Sequence, residues 1–534
     1  MPRHCITTGS DDLISLASHW INTCLNTHSG CGFHARSQFP TRLIDVGPSD
    51  ESTLPRLRES DFGAEAHYTA LSYCWGKVDT LKLTNRTYQH LLAGIKMDLL
   101  PRTHRDAVVL TRKLGFQYLW VDALCILQDS KEDWERESAK MSDVYSGSVV
   151  TIGAVWGRDS NAGLFVQRDL LSQWPCKVGE IPGEIGEIMG VLDKSNVGDR
   201  ADWDSTLGRD LHRRKPLFTR GWALQERLLS TRTLFYGPDE LHWECHTGEA
   251  SEVWPKIGES VYPLRDEKKL DSIGNEHMTL KSFGELPSMR NPLEDIMLDL
   301  PYLKTFLSNW NLILHRYWRT SLTYPTDGLV ALSGVTQYIE TLTGLTFYAG
   351  AWLELLPFDL LWYTPFFEGR QRVSCFPSWS WAGMSGEGRF LSRSGGSILS
   401  QRDHDTTYFS KFRPCEPKGA LKVSGLVLYT QLRRETYVPL TFSIEQLKYA
   451  QSFFDSLNQK SLLDVVCLLL VQWRTYEHYK HGPTPFYHSE GLILVPTNEK
   501  TDEYQRIGLW TLKKFHDNRA AVASEFKHET ITLV

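Results

Sequence analysis

The order of hydrophobic patterns between residues 66 and 156 constrains the fold more than any other feature of the chain. HYTALSYCW (67–75) reads as a short strand, and LTNRTYQHLLAGI (83–95) holds one helix. In LPRTHRDAVVLTRKLGF (100–116), Thr103 and Asp106 have the spacing of a capping box. Ala107, Leu110 and Leu114 fall on one helical face, and Gly115 is placed to end the helix. YLWVDALCIL (118–127) begins as a nearly continuous apolar run, which suits a strand buried on both faces. Ser130 with Asp133 repeats the cap signal, and Trp134, Ser138, Met141 and Tyr145 continue one side of a helix to Gly147. VVTIGAV (149–155) is then a β-branched strand.

Strand, helix, strand, helix, strand predicts parallel pairing with covering helices. Right-handed crossovers return each parallel strand in the same direction, so the residues that follow the strands collect along one rim. Ser72 to Gly76, Asp122 to Gln128 and Trp156 to Asn161 are expected there as neighbours.

Farther on, PLFTRGWALQERLLSTRTLFYGPDELHWEC (216–245) predicts a helix over 220–229 and a hairpin turning at GPDE. A Trp- and Leu-rich stretch from 300 to 365 reads as mostly helical. SRSGGSILSQRDHDTT (392–407) reads as an exposed linker or long loop. ALKVSGLVLYTQL, GLILVPT and ETITLV suggest strands, with a helix expected around 457–471. A chain of 534 residues exceeds what one core usually organises. The expected division is an N-terminal extension at 1–65 packed on a core at 66–250, a mainly helical Trp-rich region at 251–391, and a mixed α/β, strand-containing region at 408–534.

Composition narrows the function classes. With 41% hydrophobic and 23% charged residues the chain reads as a soluble globular protein, and a net charge of −6 offers phosphate backbones no general attraction, so no nucleic-acid partner is expected. The longest apolar run, LLDVVCLLLV (462–471), is about half of what a bilayer requires. Paired aspartates interrupt the start of the chain where a signal peptide needs apolar residues, and ten cysteines are too sparse for a disulfide scaffold. A cytoplasmic setting without an integral membrane segment is the expectation. Eighteen Trp, with 21 Tyr and 23 Phe, supply rings for core packing or for the wall of a ligand site.

ALSYCWG (70–76), LPRTHRDAVVLTRKLGFQYLWVDALCILQD (100–129) and DWERESAKMSDVYSGSVVTIGAV (133–155), in that order, resemble the fungal heterokaryon incompatibility (HET) domain. PLFTRGWALQERLLSTRTLFYGPDELHWEC is similar to its downstream continuation, and PSWSWAG (377–383) and EYQRIGLW (503–510) resemble segments of large fungal proteins that carry it. The resemblance implies an α/β fold with a parallel, flavodoxin-like sheet and a cytosolic fungal protein that triggers cell death when genetically different hyphae fuse. A more distant resemblance extends to TIR domains, some of which hydrolyse NAD with a glutamate. No GxxxxGK[ST] motif or fixed-period repeat array is recognisable beside it.

Candidate site residues follow from the expected rim. Asp122, directly after YLWV, can orient a base, bind a ribose hydroxyl or act as an acid, and equally can cap a loop or pair with an arginine. Glu137, one turn after Asp133, is the first candidate to stabilise positive charge at an anomeric carbon, against an ordinary arginine-paired role. Arg220, Trp222, Gln225, Glu226 and Arg227 form a second cluster, in which Glu226 is a third candidate acid and Trp222 and Gln225 a ring and an amide facing a crevice. Glu244 is an alternative acid. Ser72, Gln128 and Asp129 are candidate hydrogen-bonding groups, Trp75 a wall, and Gly76 a turn. Cys125 needs a base or a positive dipole to be a nucleophile, and otherwise is a buried apolar residue.

Cys24, His28, Cys31 and His34 offer two thiols and two imidazoles, to which Cys5 can be added, and zinc accepts such ligands. Their compact spacing matches no common finger pattern, and cysteines facing a small core explain them without metal; no resident metal is assigned. Three functions stay open: a HET-type non-self recognition or cell-death effector with NAD as substrate, a fungal secondary-metabolite enzyme doing acid–base chemistry on an aromatic or polyketide-like molecule, and a non-enzymatic scaffold that assembles with itself or with a fungal partner protein.

Overall fold

The computed structural model describes residues 7–32, 39–50, 52–59, 66–168, 176–180, 187–190, 215–238, 240–252, 255–257, 300–363, 371–385, 392–393, 407–408, 410–416, 419–435, 438–442, 450–454, 462–479, 482–497, 499–515 and 526–534. The chain divides into two units, one of Met1–Lys281 with Ala331–Val335, the other of Ser282–Val330 with Thr336–Val534.

In the first unit the strands are β1 (Arg42–Asp45), β2 (Arg56–Glu59), β3 (Tyr68–Ser72), β4 (Tyr118–Trp120), β5 (Val150–Ala154), a separate hairpin of β6 (Cys176–Glu180) and β7 (Glu187–Gly190), then β8 (Arg232–Tyr236), β9 (Leu241–Cys245) and β10 (Gly248–Ser251). Eight of them, among the described residues, make one sheet in the order β10-β9-β8-β5-β3-β4-β1-β2. Its centre is parallel: β3 pairs in parallel with β4 and β5, and β5 with β8. Antiparallel hairpins extend both edges. β3, β5 and β8 are buried along their whole length, as both-face coverage requires.

The helices are α1 (Asp11–Thr27), α2 (Tyr88–Ala93), α3 (Arg102–Lys113), α4 (Asp122–Cys125), α5 (Lys131–Ala139), α6 (Met141–Gly147) and α7 (Gly221–Leu229). Ser130 caps α5 by accepting from the Asp133 N–H, as the sequence predicts. Gly115 follows α3 at φ 84°, a conformation in which a side chain is strained. The capping box at Thr103 is not realised, because α3 starts from Pro101 and both side chains turn outward to another segment. Thr103 Oγ1 accepts from the Gly163 N–H at 3.0 Å, and Asp106 accepts from Leu164 and Phe165 at 2.8 and 3.1 Å. The expected strand over 118–127 is shorter: it stops at Trp120, and Asp122–Cys125 turn into α4.

The second unit contains a helix at Leu300–Tyr317 and most of the helix Ser333–Thr343, then short 3-10 turns and two-residue strands. Trp352 is fully buried and meets the rings of Phe306, Trp310 and Phe347 at 5.4, 5.4 and 5.0 Å, so aromatic excess here is core packing. The C-terminal part is a separate, strand-rich sheet built from Ala420–Glu435, Leu462–Tyr479, Gly482–Pro496, Glu503–Phe515 and Lys527–Leu533 with shorter strands beside them. Of the helix expected around 457–471, residues 462–471 belong to a strand instead, and 457–461 lie outside the described residues. Val465 to Leu470 are all buried, so the run packs on both faces, and an apolar run of that kind has no periodicity that separates strand from helix. Among the described residues, no helix is long and apolar enough to cross a membrane.

Candidate functional site

The parallel strands bring three distant segments to one rim. Ser72 closes β3, Asp122 opens α4 two residues after β4, and Trp156 to Asn161 follow β5. The Ser160 N–H donates to the Trp75 carbonyl at 3.4 Å. Gly76 sits beside the same loop at φ 72°, where a Cβ would fall 2.2 Å from that of Asp159, so no other residue fits this turn unaltered.

α7 adds the remaining groups. Ser72 Oγ donates to Glu226 Oε2, and Arg220, the residue that precedes α7, donates to the Tyr73 carbonyl. Trp75 Nε1 donates to Asp122 Oδ2 at 2.6 Å, and the Ala123 N–H holds the other carboxylate oxygen at 2.7 Å. Tyr145 of α6 donates to the Leu71 carbonyl at 3.3 Å. Ser72, Trp75, Asp122 and Glu226 thus assemble around the Arg220 charge.

Burial sets the electrostatics. Glu226 is 3% exposed. Desolvation pushes its carboxyl up to about 7, against the pull of Arg220 and of the Ser72 hydroxyl, and the Asp122 charge adds to the rise. Asp122 is raised as well, by burial first, although Arg220, the Trp75 indole and the Ala123 N–H favour its anion. Burial would lower the Arg220 pKa, but Glu226 and Asp122 outweigh it and hold the guanidinium charged. Two buried carboxyls, both raised by desolvation, share one cation, and perturbed acids grouped in this way are what general acid–base chemistry uses.

The other candidates lie in different surroundings. Glu137 is buried with Thr41 Oγ1 at 2.8 Å, Arg136 Nε at 3.1 Å and Lys140 Nζ at 3.6 Å, beside the buried Arg42–Asp133 pair. Gln128 donates to the carbonyls of Asp122 and Ile126 at 3.1 and 2.9 Å, which shapes the loop after α4. Asp129 accepts from the Asn85 N–H at 3.0 Å on the surface. Gln225 accepts from the Gly334 N–H at 2.8 Å, within the same unit, and Trp222 meets Trp134 edge-on at 6.5 Å. Glu244 pairs with Arg227 Nε at 2.7 Å. Cys125 is a buried thiol that burial pushes up to about 12.

Tyr73 and Tyr145 are site neighbours that sequence reasoning missed, and His104, which the sequence offers with His67, His212 and His242 as a distant base for Cys125, packs against Tyr73 instead. Tyr73 is pushed well above the usual phenol range by burial and by Asp122, and its ring meets His104 edge-on at 4.8 Å. Burial pushes His104 down to about 3, so this imidazole is neutral. Tyr73 lies inside the word ALSYCWG and was within reach of the sequence; His104 and Tyr145 lie on helical faces that only the packing identifies. Of the metal-type group, Cys24, His28 and Cys31 come together with Cys245, while His34 and Cys5 lie outside the described residues.

Residues 68–226 match a family model described as Heterokaryon incompatibility protein (HET). The match opens at the first residue of β3 and ends on Glu226, so it encloses every member of the rim cluster. No curated protein and no solved structure matches the chain. At the level of that family the role is heterokaryon incompatibility and cell death. The chain carries a heterokaryon incompatibility domain over residues 68–226.

Proposed function

We propose that this protein is an effector of heterokaryon incompatibility whose HET domain hydrolyses NAD at the nicotinamide–ribose bond, with Glu226 in place of Glu137 as the central carboxylate. The observation that carries the reading is the convergence of Ser72, Asp122, Arg220 and Glu226 at the ends of parallel strands, where open α/β sheets bind ligands. The choice of substrate rests on the distant resemblance to TIR domains.

In this reaction the bond between C1′ and the nicotinamide nitrogen breaks, and its electron pair leaves with a nicotinamide that needs no proton. Positive charge develops at C1′ and is stabilised by an ionised carboxylate beside it. Water adds to C1′ and passes a proton to Glu226, whose pKa of about 7 suits a base near neutral pH. Arg220 keeps the carboxylate pair from being wholly protonated. Glu226 is nearly enclosed, so substrate entry requires the structure around it to open.

The enclosure of Glu226 favours a second reading, in which Ser72, Glu226 and Arg220 pin α7 to the sheet of a non-enzymatic scaffold that assembles with itself or a partner. Nicotinamide release from NAD by the purified full-length chain separates the two. Release that is lost in Glu226→Gln with the fold intact supports the hydrolase. No release by the folded chain, with cell death in the fungus retained by Glu226→Gln, leaves the scaffold.

A further inference from the structure

The first unit holds a second cluster of reactive side chains, away from the strand rim and independent of the function proposed for it. Cys24 and His28 stand one turn apart at the end of α1, Cys31 closes the 3-10 turn Ser29–Cys31, and Cys245 ends β9 where the chain turns into β10. One ligand atom from each lies within 4.8 Å of every other. Cys24, Cys31 and Cys245 are buried and His28 is part-buried.

We infer that Cys24, His28, Cys31 and Cys245 form a structural zinc site. Three thiolates and one imidazole are a closed, four-ligand set that zinc takes in tetrahedral geometry, and thiolates select against the hard cations. With Zn–S bonds of about 2.3 Å and a Zn–N bond of about 2.0 Å, a tetrahedral sulfur–nitrogen edge is about 3.5 Å. Cys245 Sγ lies 3.5 Å from His28 Nδ1. The sulfurs need only small shifts to reach the remaining edges.

The surroundings fit the charge of such a centre. Zinc with three thiolates carries one net negative charge, and Arg232, 1% exposed, donates its Nε–H to Cys24 Sγ at 3.2 Å and an Nη2–H to the Cys31 carbonyl. Thr247 Oγ1 stands 3.3 Å from Cys31 Sγ. Groups that donate to ligand sulfurs orient them and tune the metal. Cys245 Sγ lies 3.4 Å from the Gly248 carbonyl, and zinc binding would release the protons of all three thiols.

Aromatic packing and a backbone hydrogen bond bring the ligands together. Trp20 of α1 lies 6.3 Å from Trp243 of β9 and donates to the Pro255 carbonyl at 2.6 Å. Zinc would then fasten α1 to the outer hairpin of the sheet, closing a loop from Cys31 to Cys245. Cys245 takes the place that spacing along the sequence offered to His34.

The test is elemental analysis of the full-length chain purified under reducing conditions. About one zinc per chain is expected. Cys245→Ser should fall below about a tenth of that after dialysis against a weak chelator and melt at lower temperature, while His34→Ala keeps its metal. Should Cys245→Ser fail to fold, cobalt(II) added to the reduced wild-type chain gives the second readout, a thiolate-to-cobalt charge-transfer band. A wild-type chain that neither contains zinc nor takes up cobalt, a Cys245→Ser chain with full zinc content, or a disulfide among the three cysteines in the native protein would each overturn the site.

Discussion

The Ser72 hydroxyl donates to the Glu226 carboxylate across 154 positions of sequence, tying the last residue of β3 to the middle of α7. That bond favours the anion, whereas burial favours the acid by more, and the balance leaves Glu226 near 7. The unfolded chain holds the same carboxyl near 4.5. The folded state therefore binds the proton more tightly.

The sign of the pH dependence follows from that difference. Below pH 4.5 both states are protonated at Glu226; as pH rises toward 7 the unfolded state gains by ionising first, and stability falls until the folded carboxyl has ionised too. The loss is about 3 kcal/mol across this window. Glu226→Gln should flatten it, matching wild type at the acid end and exceeding it above pH 7 in urea unfolding. A variant whose stability falls with pH as steeply as wild type would show that Glu226 does not titrate in this way.

Ser72→Ala removes the donor and leaves the acceptor. Glu226 rises further, and above pH 7, where the anion is forced, stability should drop by roughly 1.5–3 kcal/mol. Near pH 4.5 the cost should be smaller, because a neutral carboxyl needs the donor less. The double variant with Glu226→Gln should cost less than the sum of the single changes, and additivity in the cycle would mean that the two side chains are not coupled.

Trp75→Phe keeps a ring over Asp122 and deletes only the indole N–H, which lies 2.6 Å from Oδ2. The cost should be about 1.5 kcal/mol, with the Asp122 carboxyl pushed higher still. Thermal melts on both sides of neutrality read this as a drop in Tm that widens with pH. An unchanged melt would place the indole outside the network.

Much of this rim could be read from the chain. β-branched and apolar runs at residues 66–156 announce three strands with helices between them, and the parallel order then collects Ser72, Trp75 and Asp122 before any coordinate is known. Glu226 enters from a helix whose polar positions alone do not say which one turns inward; Gln225 is as buried as its neighbour and is spent on a backbone N–H from Gly334. Glu137 had the right chemistry, but Arg136 and Lys140 from its own helix end answer it. The thiol quartet shows the same limit. Cys24, His28 and Cys31 are local and visible, while Cys245 reaches them only through the packing of α1 on β9, a contact with no trace in spacing.

Asp133 and Glu137 are both buried acids on α5, and their partners separate them. Asp133 is bidentate to Arg42, with both side chains nearly unexposed, and also accepts from the Leu127 N–H at 2.8 Å. Burial would raise its carboxyl, yet Arg42 and the Leu127 N–H hold it below the usual carboxylate range. Asp133→Asn removes the buried partner charge of Arg42, which keeps only the partly exposed Glu59 at 3.2 Å, and should cost about 3 kcal/mol. Glu137 pairs with partly exposed cations, so Glu137→Gln should cost about 1 kcal/mol or less in denaturant titration and leave nicotinamide release intact. Loss of release in a stably folded Glu137→Gln chain would return that residue to the catalytic role.

In the second unit Arg506 is fully buried and serves as the equivalent fastening. Its guanidinium lies 3.6 Å from the Trp362 ring centre, donates to the Leu360 carbonyl at 2.6 Å and donates to the Trp362 carbonyl. A planar fork can stack on the ring and reach two carbonyls at once, whereas an ammonium cannot do both. Arg506→Lys keeps the charge but leaves at least one buried carbonyl without its donor, and should cost about 2–3 kcal/mol. Limited proteolysis should then cut the second unit well before the first, because the two carry separate cores. Equal protease resistance of variant and wild type would mean that the stacked guanidinium contributes no more than an ordinary cation.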